Sequence, residues 1–139
     1  MPTLCALGAR APDGADVGRN DRIELRNLRL LARCGTLPHE QAQNQPIEVD
    51  IDLSCDLQPA EDSDNLGDTV DYSEVCAAVD RTVTGAQVAL LEHLAARIAD
   101  AVLRCDQRIE DVSVAVRKLR PAVPQDLGTA GVRIERRRS

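Results

Sequence analysis

Phenylalanine and tryptophan are absent from this 139-residue chain, and Tyr72 is its sole aromatic residue. A core must therefore be built from Val, Leu, Ile and Ala, which pack well but offer no ring on which a flat ligand could stack. Lysine is almost as scarce: Lys118 stands alone, and arginine fills every other basic position. A basic excess is missing too. The net charge of -6 excludes nucleic acid and anionic membrane surfaces as partners, because both require a positive field. No apolar run reaches membrane length, and the N-terminus carries no charged leader followed by an apolar stretch, so no signal peptide is read there. The five cysteines are odd in number and widely spaced, with no C-x-x-C and no histidine at ligand spacing. That pattern predicts reduced thiols in a cytoplasmic protein, with neither a metal site nor a disulfide framework.

The length suits one domain. Residues 1–20, rich in Gly, Ala, Pro and Asp, read as a disordered extension, residues 21–136 as the domain, and residues 137–139 as a solvated basic tail. Within the domain, Ile23 and Leu25 keep one alternating phase and Leu28 and Leu30 the other. The switch falls at Asn27, a residue that tolerates positive φ, which predicts a bulge. Ile47, Val49, Ile51, Leu53, Cys55 and Leu57 alternate with Glu48, Asp50, Asp52, Ser54 and Asp56, a long strand with one buried and one acidic face. The polar stretch between these strands, CGTLPHEQAQNQP, reads as a loop that could carry a site.

Helical spacing follows. Tyr72, Val75, Cys76, Val79 and Val83 share one helix face, Asp71 and Glu74 have capping-box spacing, and Gly85 supplies a stop. A second helix from about Ala89 buries Leu91, Leu94, Ala95, Ile98, Val102 and Cys105. Two strands close the chain, one with Val112, Val114 and Val116 inward, the other with Val132 and Ile134 inward. The order strand, strand, helix, helix, strand, strand predicts an α+β fold, a four-stranded antiparallel sheet with both helices on one face. Its open edges favour joining sheets from several copies into a barrel, hence a homo-oligomer.

Lys118 continues the inward phase of Val112, Val114 and Val116, so its amine is held partly out of water, where proton transfer becomes accessible near neutrality. A strand-end lysine reaching back to solvent is the plainer alternative. Its solitude weighs against that alternative, since a guanidinium cannot replace a group that must release a proton. Tyr72 is either a core ring or a phenol used for its hydroxyl. Glu92 is either a carboxylate on a helix dipole or, in the apolar stretch ALLEHLA, a receptor for two parallel N–H donors. Glu40 reads as a solvated loop acid, and His39 and His93 as surface histidines.

The pieces DRIELRNLRLLARCGTLPHE, DTVDYSEV, LLEHLAARIADAVL and VAVRKLRPAVP, in that order, make the chain from about Asp21 to Arg136 resemble dihydroneopterin aldolases. The resemblance implies a ββααββ tunnelling fold, four or eight subunits around a central barrel, and sites between subunits. It implies a lyase of folate biosynthesis that cuts 7,8-dihydroneopterin into 6-hydroxymethyl-7,8-dihydropterin and glycolaldehyde. By that resemblance Glu92 anchors the pterin with the Leu91 backbone, Lys118 and Glu40 are catalytic, and Tyr72 acts from the neighbouring subunit. Val70 and Asp71 would line the pterin through their backbone. No metal or dissociable cofactor is implied, because the dihydropterin's own C=N bond takes up the electrons of the cleaved bond.

Three positions depart from the family pattern. Cys34 stands where a histidine is common, Ile47 where a phenylalanine is usual, and KLRPAVP replaces K-P-x-A-P-I-P. Two other functions share these residues. One is a 2′-epimerase of dihydroneopterin or of its triphosphate, for which Arg33 and Arg120 are the nearest basic groups. The other is a catalytically weak pterin-binding or scaffold relative.

Overall fold

The computed structural model describes residues 21–139, so the sequence reading of residues 1–20 falls outside the described part. Strand β1 (Arg22–Cys34) leads through a short helix α1 (Pro38–Ala42) into β2 (Gln45–Ser54). A helix α2 (Gln58–Ser63) and a 3-10 turn (Leu66–Asp68) precede the main helix α3 (Tyr72–Thr84). Then come β3 (Gln87–Val88), the long helix α4 (Leu91–Cys105), β4 (Asp111–Lys118) and β5 (Ala130–Arg137).

Strands β1, β2, β4 and β5 form the expected antiparallel sheet, and β3 adds a short parallel pairing to the end of β1, giving the order β3-β1-β2-β4-β5. The sheet is thus five-stranded rather than four-stranded; two residues carry no periodicity by which a sequence could announce them. The bulge falls where the phase switch puts it. Leu25 pairs with Ile51 but Leu28 with Val49, so two residues, Arg26 and Asn27, stand against the single Asp50, with Asn27 at φ 58°. Strand β2 stops at Ser54 instead of continuing to Leu57. Pro59 cannot donate to a ladder, and the Asp56 carboxylate accepts the Gln58 N–H at 3.0 Å, turning the chain into α2.

Ile47, Val49, Ile51 and Leu53 of β2 and Val112, Val114 and Val116 of β4 are fully buried. They face helix residues Val75, Val79, Val83, Leu94, Ile98 and Val102, with α3 over β1 and α4 over β4 and β5. This all-aliphatic core gains its stability from area removed from water, with no aromatic contribution. Helix α3 is capped by Asp71, which accepts from the Ser73 N–H at 3.0 Å and its hydroxyl at 2.7 Å, so the cap closes on Ser73 rather than on Glu74. Gly85 ends α3 at φ -84°, ordinary right-handed backbone, so the stop uses no left-handed glycine.

The opposite face of the sheet is charged. Arg117 donates to Glu48 at 2.9 Å, Asp50 at 2.9 Å and the Asn27 side chain at 2.9 Å, while Arg29 reaches Glu48 at 2.8 Å and Arg26 reaches Asp52 at 2.8 Å. The acids that alternate with the core of β2 are therefore matched by arginines from both neighbouring strands. The basic tail is corrected as well. Arg137 belongs to β5, and the Arg138 guanidinium donates to the carbonyls of Ile109 and Asp106, each at 2.9 Å, and to that of Leu103, covering the otherwise open end of α4.

Candidate active site

Lys118 ends β4 opposite Ile47 of β2, with the buried valines of β4 leading up to it. Its side chain is 15% exposed, and its Nζ lies 2.6 Å from Glu40 Oε2. Alternation along β4 holds the stem against the core, while the strand's end frees the ammonium to meet the first loop. The sequence suggests a half-buried amine, and the structure adds that this amine is ion-paired.

Glu40 reads in the sequence as a solvated loop acid, but it is only 3% exposed. The reason is local. The stretch taken as loop contains α1, which begins at Pro38, a residue suited to a helix's first turn. Glu40 occupies the third helical position, from which its Oε1 turns back to accept the Leu37 N–H at 3.3 Å. The bond from Lys118, reinforced by that N–H, holds the Glu40 carboxyl below its ordinary range against the opposing effect of burial. It is therefore a carboxylate, inward-facing and already supplied with two donors.

Leu91 and Glu92 open α4, beyond the extended Leu90. Glu92 is exposed, in the first turn of a helix whose N-cap contributes no side-chain hydrogen bond. A carboxylate is favoured there by the helix dipole, and its two oxygens remain available to a ligand with paired N–H groups. Glu40, Lys118, Leu91 and Glu92 line one cleft of about 420 Å³, whose lining also includes Pro121, Ala122 and Val123. That volume falls within the range of small-molecule sites.

Cys34 sits beside this cleft at the end of β1, with no exposed surface. Burial pushes its thiol up; Lys118 opposes that, and Glu40 and Glu92 add to it. The group is a neutral thiol among three charged neighbours, so it packs rather than reacts. Three features of the cleft escape a reading of the sequence: the Leu37 N–H, the Leu90 edge and the wall formed by Pro121, Ala122 and Val123. Backbone donors carry no residue-type signal, and nothing in the apolar run Pro121, Ala122 and Val123 says which cleft it will border.

Val70, Asp71 and Tyr72 do not line this cleft within the chain. Arg108, just beyond α4, donates to the carbonyls of Gly67 and Thr69 at 2.8 and 2.6 Å, which holds the segment before Val70 near the C-terminal end of that helix. Glu92 is at the N-terminal end, and a helix from Leu91 to Cys105 spans about 22 Å. Val70 is buried, Asp71 caps α3, and Tyr72 is 61% exposed, not on the core side of its helix. Its position at the first turn of α3 leaves the ring beyond the layer that Val75 and Val79 cover. Arg33 and Arg120 are exposed and do not line the cleft. Among the described residues no group of His, Cys, Asp and Glu could hold a metal ion, and no helix is long and apolar enough to cross a membrane.

A two-helix layer on one face of a sheet, with a cleft at the corner where a strand end meets a helix N-terminus, defines a class of α+β domain. The same architecture extends to urate oxidase from Bacillus sp. TB-90, at 12% identity and a TM-score of 0.66 over 93% of this chain and 50% of that one, a likeness of fold alone. Closer likeness is specific. The profile of the dihydroneopterin aldolase family, FolB, matches residues 23–135. Dihydroneopterin aldolase from Streptococcus pyogenes serotype M6 is 36% identical over 118 residues, 85% of this chain and 99% of that protein. The E. coli dihydroneopterin aldolase solved with neopterin superposes with a TM-score of 0.76 at 28% identity, covering 84% of this chain and 98% of that one. The Burkholderia enzyme solved with guanine gives 0.72 at 26% identity, covering 87% and 93%. The chain belongs to the dihydroneopterin aldolase family, and its activity is the aldol cleavage of folate biosynthesis.

Proposed function

We propose that the cleft at the N-terminal end of α4 is where this chain splits 7,8-dihydroneopterin into 6-hydroxymethyl-7,8-dihydropterin and glycolaldehyde. The observation that carries this assignment is the Lys118 to Glu40 contact of 2.6 Å in the cleft that also holds Glu92. Glu92 receives the pterin's paired N–H groups, as the bidentate geometry of a carboxylate permits, and the Leu91 backbone borders the ring. The neopterin and guanine held by the E. coli and Burkholderia relatives both present such N–H donors, which supports this reading.

Cleavage requires the side-chain 2′ hydroxyl to lose its proton while the C1′–C2′ bond breaks. The electron pair of that bond flows into the ring C=N bond next to the side chain, and the ring nitrogen takes up a proton. A proton delivered to C1′, with the ring nitrogen giving back the one it took up, then restores the C=N bond and releases the hydroxymethyl product. Lys118 is the proton carrier for the ring nitrogen, acting through water, and no imine to the lysine is needed. Glu40 and Tyr72 hold the side-chain hydroxyls and relay their protons. Desolvation in the cleft strengthens each of these interactions.

Tyr72, Val70 and Asp71 complete the site from a neighbouring copy. The separation along α4 supports this, because one chain does not unite them with Lys118. The assembly is a homo-oligomer, a tetramer or octamer around a barrel, in the cytoplasm. Incubation of the purified protein with 7,8-dihydroneopterin, followed by separation of products, tests the reading. Hydroxymethyl-dihydropterin with equimolar glycolaldehyde is expected; the 2′ epimer alone would replace the aldolase with an epimerase, and unchanged substrate would leave a binding protein.

A further inference from the structure

We infer that Gly35 is a positioning residue for the reaction: its missing side chain is the seat in which Glu40 lies so that it can reach Lys118. The inference rests on the proposed role of Glu40. Gly35 is buried and has φ 154°, a backbone region open mainly to glycine. A Cβ built on it would overlap Glu40 Oε1, Cδ and Cβ. The acid thus occupies the volume that any other residue at 35 would need.

Neither side of this contact is free to yield. The Gly35 N–H donates to the Val88 carbonyl at 3.0 Å, and the two preceding residues pair with Gln87 and Val88 of β3, so the backbone is fixed to a strand edge. Glu40 is fixed at both oxygens, by the Leu37 N–H and by Lys118. A side chain at 35 is accommodated only by moving the carboxylate off the lysine. The peptide held by Gly35 also lies shortly before Leu91 and Glu92, so one glycine references both acids of the cleft to the same strand edge.

A double-mutant cycle between Gly35→Ala and Glu40→Gly tests this, with the thermal midpoint, turnover, and the pH dependence of kcat/KM measured for all four proteins. The positive-φ strain of alanine enters both arms and cancels. Gly35→Ala is expected to lower turnover by about 10²-fold, the scale of an ångström-level misplacement. Added to Glu40→Gly, it should cost little further turnover and a much smaller drop in midpoint. In the single variant the acid limb of the pH profile should move upward, because the displaced carboxylate loses the donors that hold it low. Should Gly35→Ala alone fail to fold, folding of the double variant supports the contact. An equal midpoint drop in both backgrounds overturns the inference, as does a double variant that fails to fold when Glu40→Gly folds. A coupled midpoint with turnover indifferent to both substitutions would instead sink the catalytic reading of Glu40, and Gly35's part in the reaction with it.

Discussion

Glu40 and Lys118 stand 78 positions apart in the chain, and their charged ends meet at 2.6 Å where the first loop folds across the end of β4. With side-chain exposures of 4% and 15%, both charges are largely withdrawn from water. Such a pair is not evidence of stability in itself, since the desolvation cost of two ions is comparable to their attraction, but removing one partner strands the other. The pair lies inside the cleft, where the proposed acid–base role has consequences that can be measured.

Lys118→Arg keeps a cation beside Glu40 but removes a proton that can be given up and recovered. Turnover is expected to fall by about 10²–10⁴-fold, the usual contribution of a general acid–base group, while neopterin binding stays close to that of the unmodified protein. Single-turnover kinetics beside equilibrium binding separates the two. Wild-type turnover in this variant would end the assignment of Lys118 as proton carrier.

Glu92→Ala should act on binding. Loss of a charge-assisted, two-point contact costs about 1.5–3 kcal/mol, so neopterin affinity should drop roughly 10–150-fold. Calorimetric titration reads this directly. Retained affinity with lost turnover would move Glu92 from anchor to catalyst.

Tyr72 gives a test of assembly. Tyr72→Phe and Lys118→Ala, each deficient alone, should regain activity when the two chains are unfolded and refolded together. If every site draws Lys118 from one copy and Tyr72 from the next, about one site in four in an equal mixture has both intact. A mixture no more active than its separate components would mean that the two residues do not share a site across copies.

Stability should fall in acid. The Lys118 bond holds Glu40 low, Arg117 and then Arg29 hold Glu48 low, and Arg117 holds Asp50 low. A carboxyl depressed in the folded state stabilises the fold above its unfolded value, near 4, and loses that contribution as pH falls through the folded value. Urea midpoints taken from pH 7 down to pH 3 should therefore decline most below about pH 4. Arg117→Gln should flatten that decline, since Arg117 is the first cause for both Glu48 and Asp50. An unchanged acid slope in that variant would show that the charged face is not what titrates.

Much of the architecture was legible because it rests on period and position. The alternation of Ile47, Val49, Ile51 and Leu53, the phase switch at Asn27 and the helical spacing of Leu94, Ile98 and Val102 each force one face inward whatever lies far away. What escaped was short or non-local. Helix α1 and strand β3 are too brief to show a period, and Pro59 overrode an alternation that continued past Ser54. Tyr72 fitted the core face of α3 by spacing but emerged at the exposed end of the helix.

The residues by themselves determined which chemistry was on offer: one removable ammonium at Lys118, one phenol at Tyr72, and acids at Glu40 and Glu92, set in an aliphatic background that could not compete for those roles. Tertiary structure decided which of them meet. Contact between the first loop and the end of β4 depends on strand order and on a glycine without a Cβ, and the length of α4 keeps Tyr72 out of its own chain's cleft. Local spacing encodes the faces of single elements, whereas distances between elements are set only when the sheet closes and the helices pack on it.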